Sequence, residues 1–340
     1  MAFGWGIISA GRHPDQKMAP AINSTDSKLV AIVSRDIDRA RAFSEKHHVL
    51  SAYSDIDAML DDAAVDVVYV ASPNYLHKEH VLRAAAAGKH VLCEKPMALT
   101  LQDCQEMIDG CARANVRLGV GFHLRYHPGH QRLRELVKER ALGTVGFVYA
   151  QWINGTRGQL KPPPRPPLQQ WWEAPEMAGA GGFMGTGVHC VDLMRYVLDD
   201  EIIEVSALTD GQNDNQALEH LATLLLRFRS GTIGVISTGR RLPDSLNDII
   251  VYGSEGRAGV HGSLFVNLQG HFHAQGMNAN EEYDYEPPDP LEMYIRQVKE
   301  FNKAIEEQRD PLASGYDGLQ VAMLTAAMVE SAQTGRLISL

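Results

Sequence analysis

Apolar residues fall first in short unbroken runs and later in alternation, and the pattern changes near residue 145. In the first part, "FGWGIIS", "KLVAIVS", "VDVVYVAS", "HVLCE" and "RLGVGF" predict strands. Between them, "QKMAPAINST", "IDRARAFSEKHH", "SDIDAMLDD", "KEHVLRAAAAGK" and "TLQDCQEMIDGCARANV" predict helices, with Gly88 as a stop and Thr100 as an N-cap. Strands apolar on both faces and separated by helices imply a parallel sheet covered on both sides.

Further along, "GFVYAQWIN", "IIEVSALT", "HLATLLLRFRSG", "TIGVISTG", "NDIIVYGSEG" and "GSLFVNLQG" predict strands joined by short turns, hence a mostly antiparallel sheet. "KPPPRPP" reads as a stiff surface loop and "HCVDLMRYVL" as a helix, and two long helices, "PLEMYIRQVKEFNKAIEEQ" and "GYDGLQVAMLTAAMVESAQTG", close the pattern. Alternation in "TIGVISTG" and "HLATLLLRF" leaves an apolar sheet face, so self-association as a homodimer or homotetramer through this sheet is expected.

The length of 340 residues favours two domains, and 44% hydrophobic with 22% charged residues describes an ordinary globular chain. A formal net charge of −10 argues against nucleic acid and anionic membranes as partners. No apolar run has membrane-spanning length, and "MAFGWGIISAG" lacks the basic stretch and cleavage site of a secretory signal. Cys93, Cys104, Cys111 and Cys190 have no metal-type spacing and read as reduced thiols, which predicts a cytoplasmic setting.

Three stretches carry candidate chemistry. In "GIISAGRHPDQKMAP" a strand runs through a glycine turn into a helix, the usual receptacle for a pyrophosphate. A G-x-G-x-x-G template laid on residues 9–14 matches only Gly11, with Ser9 and Pro14 in the other two places. Ser9, Ala10, Gly11 and Arg12 are the candidate cofactor turn. In "VSRDIDRAR", Ser34, Arg35 and Arg39 follow the second strand, and Asp36 stands one place late for a ribose-binding acid. Arg35 and Arg39 lie about one helical turn apart and suit a 2′-phosphate, so NADP(H) is favoured and NAD(H) is the alternative. In "HVLCEKPMAL" a buried strand ends by presenting Glu94 and Lys95, with Pro96 stopping the pairing. His123 and His127 have HxxxH spacing but no intervening Glu, and Pro128 follows at once, so no metal is expected.

The segment "SPNYLHKEHVLRAAAAGKHVLCEKPMALTLQD" resembles the one that defines the Gfo/Idh/MocA oxidoreductases, the glucose–fructose oxidoreductase and inositol dehydrogenase family. "GFHLRYHP", "GAGGFMGTGVHCVDLMRYVL" and "SAQTGRLISL" agree with further family stretches in the right order. "HLR", Ser34 and Arg39 look nearest to NADPH-dependent members such as anhydrofructose reductase. The resemblance implies an α/β fold: a doubly wound Rossmann sheet over 1–122, then an α/β domain with a large, mostly antiparallel open sheet over 123–340. The C-terminal helices would pack back on the first domain.

It also implies site residues. Lys95 would face the substrate hydroxyl beside the nicotinamide, with Glu94 among the cofactor contacts and a cis bond before Pro96. Ser72, Pro73, Asn74 and His77, at the carboxyl end of a strand, would meet the cofactor riboses. His189 suits a general base near neutral pKa, and Lys95 a cation beside the developing alkoxide. His123 and Arg125 would contact a sugar-like substrate, and Asp192, one helical turn past His189, would orient its ring or touch substrate. Trp172 would stack on sugar or pack in the core, as would Trp171. One departure stands out: Gly185 occupies the place where many members carry an aspartate. The expected activity is an NAD(P)-dependent oxidoreductase acting on a sugar, polyol or related cyclic compound. The alternatives are a cofactor-retaining hydrolase or lyase and a non-catalytic dinucleotide-binding regulator.

Overall fold

The computed structural model describes residues 2–159, 164–211, 218–285 and 289–340. The chain forms two compact units, one of residues 1–123 with 291–322 and one of residues 124–290 with 323–340.

The first unit contains β1 (Gly4–Ile8), β2 (Lys28–Val33), β3 (Ser51–Tyr53), β4 (Val67–Val70), β5 (His90–Cys93) and β6 (Leu118–Val120). They pair in parallel in the order β3-β2-β1-β4-β5-β6. The order reverses between β1 and β4, where open sheets of this kind bind ligands at the strands' carboxyl ends. The runs are continuous because both faces are covered: β1 and β4 are buried at every position. Trp5, Ile7, Met18, Ile22 and Leu92 pack with Tyr294, Val298 and Phe301 of the Glu292–Glu306 helix. Thr100 accepts the Asp103 N–H at 3.0 Å, and Gly88 takes φ +73° just past the His77–Ala86 helix.

The second unit holds β7 (Val145–Ile153), β8 (Ile202–Thr209), β9 (Leu221–Phe228), β10 (Ile233–Gly239), β11 (Ile249–Gly253), β12 (Gly256–His261), β13 (Gly270–Gly276), β14 (Asn280–Tyr285) and β15 (Ile338–Ser339). Their order is β14-β13-β12-β11-β7-β10-β9-β8-β15, and only β7 and β10 pair in parallel. In β9, Ala222, Leu224, Leu226 and Phe228 are buried while Thr223, Leu225 and Arg227 face outward.

Two local expectations need correction. "GSLFVNLQG" is not a strand: Gly262 at φ +63° and Gly270 at φ +136° turn the chain, and the strands are the more polar β13 and β14 beyond it. A further helix that the sequence pattern did not announce, Pro128–Lys138, buries His130 beside Leu133 and Leu136. The proline segment lies partly outside the described residues, since 161–163 are not described; Pro167–Glu173 then forms a 3-10 turn with nothing buried, so Trp171 and Trp172 are not core residues. Among the described residues, no helix is long and apolar enough to cross a membrane.

Candidate functional site

At the β1 turn, Ser9 adopts φ +91°, a conformation that glycine takes without strain. The position thus keeps the backbone of the template glycine while carrying a hydroxymethyl group. A Cβ at Gly11 would meet only Ser9 Oγ at 3.7 Å and Pro14 Cδ at 3.8 Å, so the turn is open on that side. Helical turns begin at Arg12, and a π-helical stretch at Pro14–Met18 leads into Ala19–Asn23. Arg12 is exposed and donates to Gln16 at 3.1 Å.

The β2 end is tied to this turn. Arg39 donates from Nη2 to the Ala10 carbonyl at 2.8 Å. Asp36 caps the Ile37–His47 helix, accepting from the Asp38 and Arg39 amides, so its carboxylate is used locally. Ser34 is buried and accepts the Asp36 N–H at 3.4 Å, while Arg35 is exposed.

At the ends of β4 and β5, Ser72, Asn74 and His77 are buried and Pro73 is half-buried. The His77 ring lies between the Ser72 carbonyl at 2.8 Å and the Pro96 carbonyl at 2.9 Å, joining the two turns. Burial lowers its pKa, against the pull of those carbonyls. The Ser72 hydroxyl is hydrogen-bonded to His80 at 2.8 Å. The Lys95–Pro96 bond is cis.

Glu94 is the centre of this region. Tyr69 donates to its Oε1 at 2.5 Å, His13 Nε2 lies 3.3 Å from the same oxygen, and the Lys95 amide donates to Oε2 at 3.2 Å. Burial alone would raise the pKa of this carboxyl, but His13, Lys95 and the Tyr69 hydroxyl bring it down to about 2. Gly121 makes room for it: a Cβ there would stand 2.7 Å from Oε1. Tyr294 closes the group from the Glu292–Glu306 helix, with His123 stacked on its ring at 5.0 Å and His13 edge-on at 5.5 Å. The Tyr294 hydroxyl is buried without a hydrogen-bond partner among the described residues. Sequence reasoning missed His13, Tyr69 and Tyr294 here, because contacts across such separations leave no local pattern.

In the second unit, His189 is 2% exposed and packs against Trp152 with ring centroids 5.2 Å apart. It sits in the first turn of the Gly187–Leu198 helix, after Thr186, whose hydroxyl is 2.6 Å from that of Thr238 on β10. Asp192, on the same helix, receives two hydrogen bonds from Arg125, so two predicted site residues meet each other. The glycine-rich loop ahead of the helix is gripped by Glu219, which accepts the Gly181 and Phe183 amides, both at 2.9 Å. Burial raises the Glu219 pKa despite these amides. A lone acid in a loop gave no sequence signal of that role. A Cβ on Gly185 would meet nothing within 4 Å. Trp172 stacks on Trp171 at 4.6 Å and lies under Arg165. His127 accepts the Gly129 amide and is bonded to the Gln269 carbonyl, so its ring is engaged by the backbone.

Residues 3–122 match the family described as "Oxidoreductase family, NAD-binding Rossmann fold" and residues 130–259 match the "GFO/IDH/MocA C-terminal domain". Curated relatives include a 1,5-anhydro-D-fructose reductase of Ensifer adhaerens, 29% identical over 98% of this chain and 97% of that protein. Another is a myo-inositol 2-dehydrogenase of Thermotoga maritima, 31% identical over 98% of each. Among solved structures, the aldose-aldose oxidoreductase of Caulobacter crescentus complexed with glycerol superposes with a TM-score of 0.88 at 27% identity, covering 100% of both chains. The chain belongs to the GFO/IDH/MocA family of oxidoreductases, built on an NAD-binding Rossmann fold.

Proposed function

We propose that this protein is an NADP(H)-preferring oxidoreductase that moves a hydride to or from a secondary alcohol or ketone of a sugar, polyol or related cyclic compound. The observation that carries the reading is the Glu94–Lys95 pair at the β5 end: a carboxylate held ionised by Tyr69 and His13 beside a lysine. The names of the curated relatives, a reductase of anhydrofructose and a dehydrogenase of myo-inositol, support the substrate class.

The turn fits a dinucleotide. Its first position has the backbone of a glycine, its middle is open, and a helix start offers amide groups to a pyrophosphate. A bound NADP(H) would supply the hydride donor or acceptor. Lys95 holds the substrate hydroxyl and steadies the alkoxide as negative charge develops there. Glu94 keeps the local field from expelling that cation. His189, fixed by Trp152 and by the helix start, takes the proton in oxidation and returns it in reduction. Arg125 and Asp192 act as one rigid polar unit on the substrate side.

Preference for NADP(H) is supported by the β2 end. Asp36 is consumed as a cap, and Arg35 is exposed beside Ser34, which supports a role for its guanidinium at a 2′-phosphate. Arg39 holds the turn through Ala10. Parallel fluorescence titrations of the cofactor-stripped protein with NADPH and NADH test this. Tighter NADPH binding that R35A abolishes is expected; no binding of either would end the oxidoreductase reading.

Self-association through the open sheet belongs to the same reading. Leu208 (79% exposed), Leu225 (55%) and Tyr252 (38%) are exposed apolar side chains on β8, β9 and β11, which supports this reading. Light scattering is expected to give at least a dimer, and a monomer at micromolar concentration would overturn it.

A further inference from the structure

His77 opens the His77–Ala86 helix and stands between two turns of the parallel sheet. One turn, after β4, carries Ser72, Pro73 and Asn74; the other, after β5, carries Lys95 and Pro96. Ring Nε2 is 2.8 Å from the Ser72 carbonyl and Nδ1 is 2.9 Å from the Pro96 carbonyl, and the residue is 1% exposed. A carbonyl oxygen only accepts, so each bond needs a proton on its ring nitrogen. The neutral imidazole carries one such proton. It makes one of the two bonds and leaves a nitrogen lone pair facing a carbonyl oxygen at hydrogen-bond distance. Only the imidazolium satisfies both carbonyls.

The surroundings permit the second proton and limit its range. Burial lowers the His77 pKa, while the two carbonyls and the Glu94 carboxylate favour the charged ring. Glu94, with its own pKa brought down to about 2, is ionised throughout the range in which an imidazole titrates. The other titratable neighbours are neutral or paired. On the same helix, burial brings His80 down to about 4, Lys78 pairs with Asp103 and Glu106 of the Leu101–Arg113 helix, and Arg83 pairs with Asp57 and Glu79. Burial raises the Tyr69 hydroxyl on β4 and the Cys93 thiol on β5 well above their ordinary values, and pushes Cys104 on the Leu101–Arg113 helix up to about 12. The ring therefore holds both turns only below the ordinary imidazole value of 6.5, and gives up one of them as the pH rises.

We propose that His77 is a positioning residue: doubly protonated, it clamps the Ser72 turn to the Pro96 turn and so fixes Lys95, and the loss of one proton frees one of the two turns. Its consequence for catalysis rests on the reading of this chain as an NAD(P)-dependent oxidoreductase with Lys95 beside the reacting hydroxyl. The clamp itself does not rest on that reading.

Long-range 1H–15N correlation spectra of the full chain labelled with 15N-histidine, recorded between about pH 5 and pH 8, test the protonation. H77Q assigns the ring signals, with H77N as the second variant where the first fails to fold. Both nitrogens are expected to be protonated at pH 5, and one is expected to lose its proton with a midpoint below 6.5. Hydrogen–deuterium exchange over the same range, corrected for the intrinsic effect of pH, reads the clamp. Residues 71–76 and 94–98 should exchange up to about tenfold faster at pH 8 than at pH 5, the worth of one hydrogen bond. In H77Q the fast exchange should hold at both ends. A ring with an unprotonated nitrogen at pH 5, a ring that keeps both protons at pH 8, or exchange indifferent to the ring proton overturns the proposal. Both readouts are taken without cofactor, so failure of NADPH to bind ends the oxidoreductase reading and leaves the clamp decided.

Discussion

Arg125 donates to the Asp192 carboxylate from Nε at 2.9 Å and from Nη2 at 2.6 Å, and the two residues are 5% and 1% exposed. A bidentate pair this buried is stable only as a pair. Removing either partner alone, as in R125M or D192L, should cost about 3–5 kcal/mol by stranding a charge, while the double variant should cost far less. Urea denaturation of the three variants at neutral pH checks this. Single losses below about 1 kcal/mol, the range of exposed pairs, would mean that the charge finds water.

K95M and H189Q should separate binding from chemistry. Each is expected to lower kcat by about a thousandfold, the combined scale of proton transfer and alkoxide stabilisation, while leaving NADPH affinity within about twofold. Cofactor fluorescence titration beside steady-state rates distinguishes this from a merely structural role, in which both would fall together. Full turnover in either variant would remove that residue from the mechanism.

Glu94 should set part of the acid limb of stability. Its folded pKa of about 2 lies below its ordinary 4.5, so its contribution is complete above pH 4.5 and fades as pH falls toward 2. The span corresponds to on the order of 3 kcal/mol. E94Q should therefore be less stable than the native chain at pH 7 and approach it only as the pH falls to about 2. Parallel thermal melts across that range show it. An equal gap at both ends would place the cost in packing rather than in charge.

The strand-and-helix plan was legible because runs such as "VDVVYVAS" and the alternation of "HLATLLLRF" report burial directly. β14 was not, since "NEEYDY" buries no position fully and sends no apolar signal. For the proposed site, Lys95, His189 and the β1 turn were singled out by local stretches and a family resemblance. Tyr294, His13 and Glu219 were not, because each acts through partners distant in sequence: His13 meets Glu94, and Glu219 meets Gly181. Asp36 shows a subtler limit. Its place suggested a failed ribose ligand, whereas the fold uses it to cap a helix.

Gly185 offers a constructive test. A Cβ there meets nothing within 4 Å, so G185D should fold with a stability change within about 0.5 kcal/mol, as for an unstrained open position. If a carboxylate one turn before His189 takes a substrate hydroxyl, G185D should lower KM for neutral polyols such as myo-inositol. It should raise KM for sugar acids by repulsion. Unchanged kinetics for both would place Gly185 away from the substrate.

Ser9 at φ +91° is the last of these tests. A side chain in that region costs about 1–2 kcal/mol, whereas glycine there costs about 0.5–1 kcal/mol in unfolded-state entropy. S9G should therefore be as stable as the native chain or up to about 1 kcal/mol more stable, and S9V, β-branched at a strained site, should lose about 2 kcal/mol or more. If the strained serine is kept for its hydroxyl, that hydroxyl binds a cofactor oxygen. S9G is accordingly expected to bind NADPH about tenfold more weakly, the worth of one hydrogen bond to a charged oxygen. Thermal melts and cofactor titration of the same two variants read both effects. A less stable S9G would refute the strain, and an S9G that is more stable with undiminished affinity would leave the serine without a function in the turn.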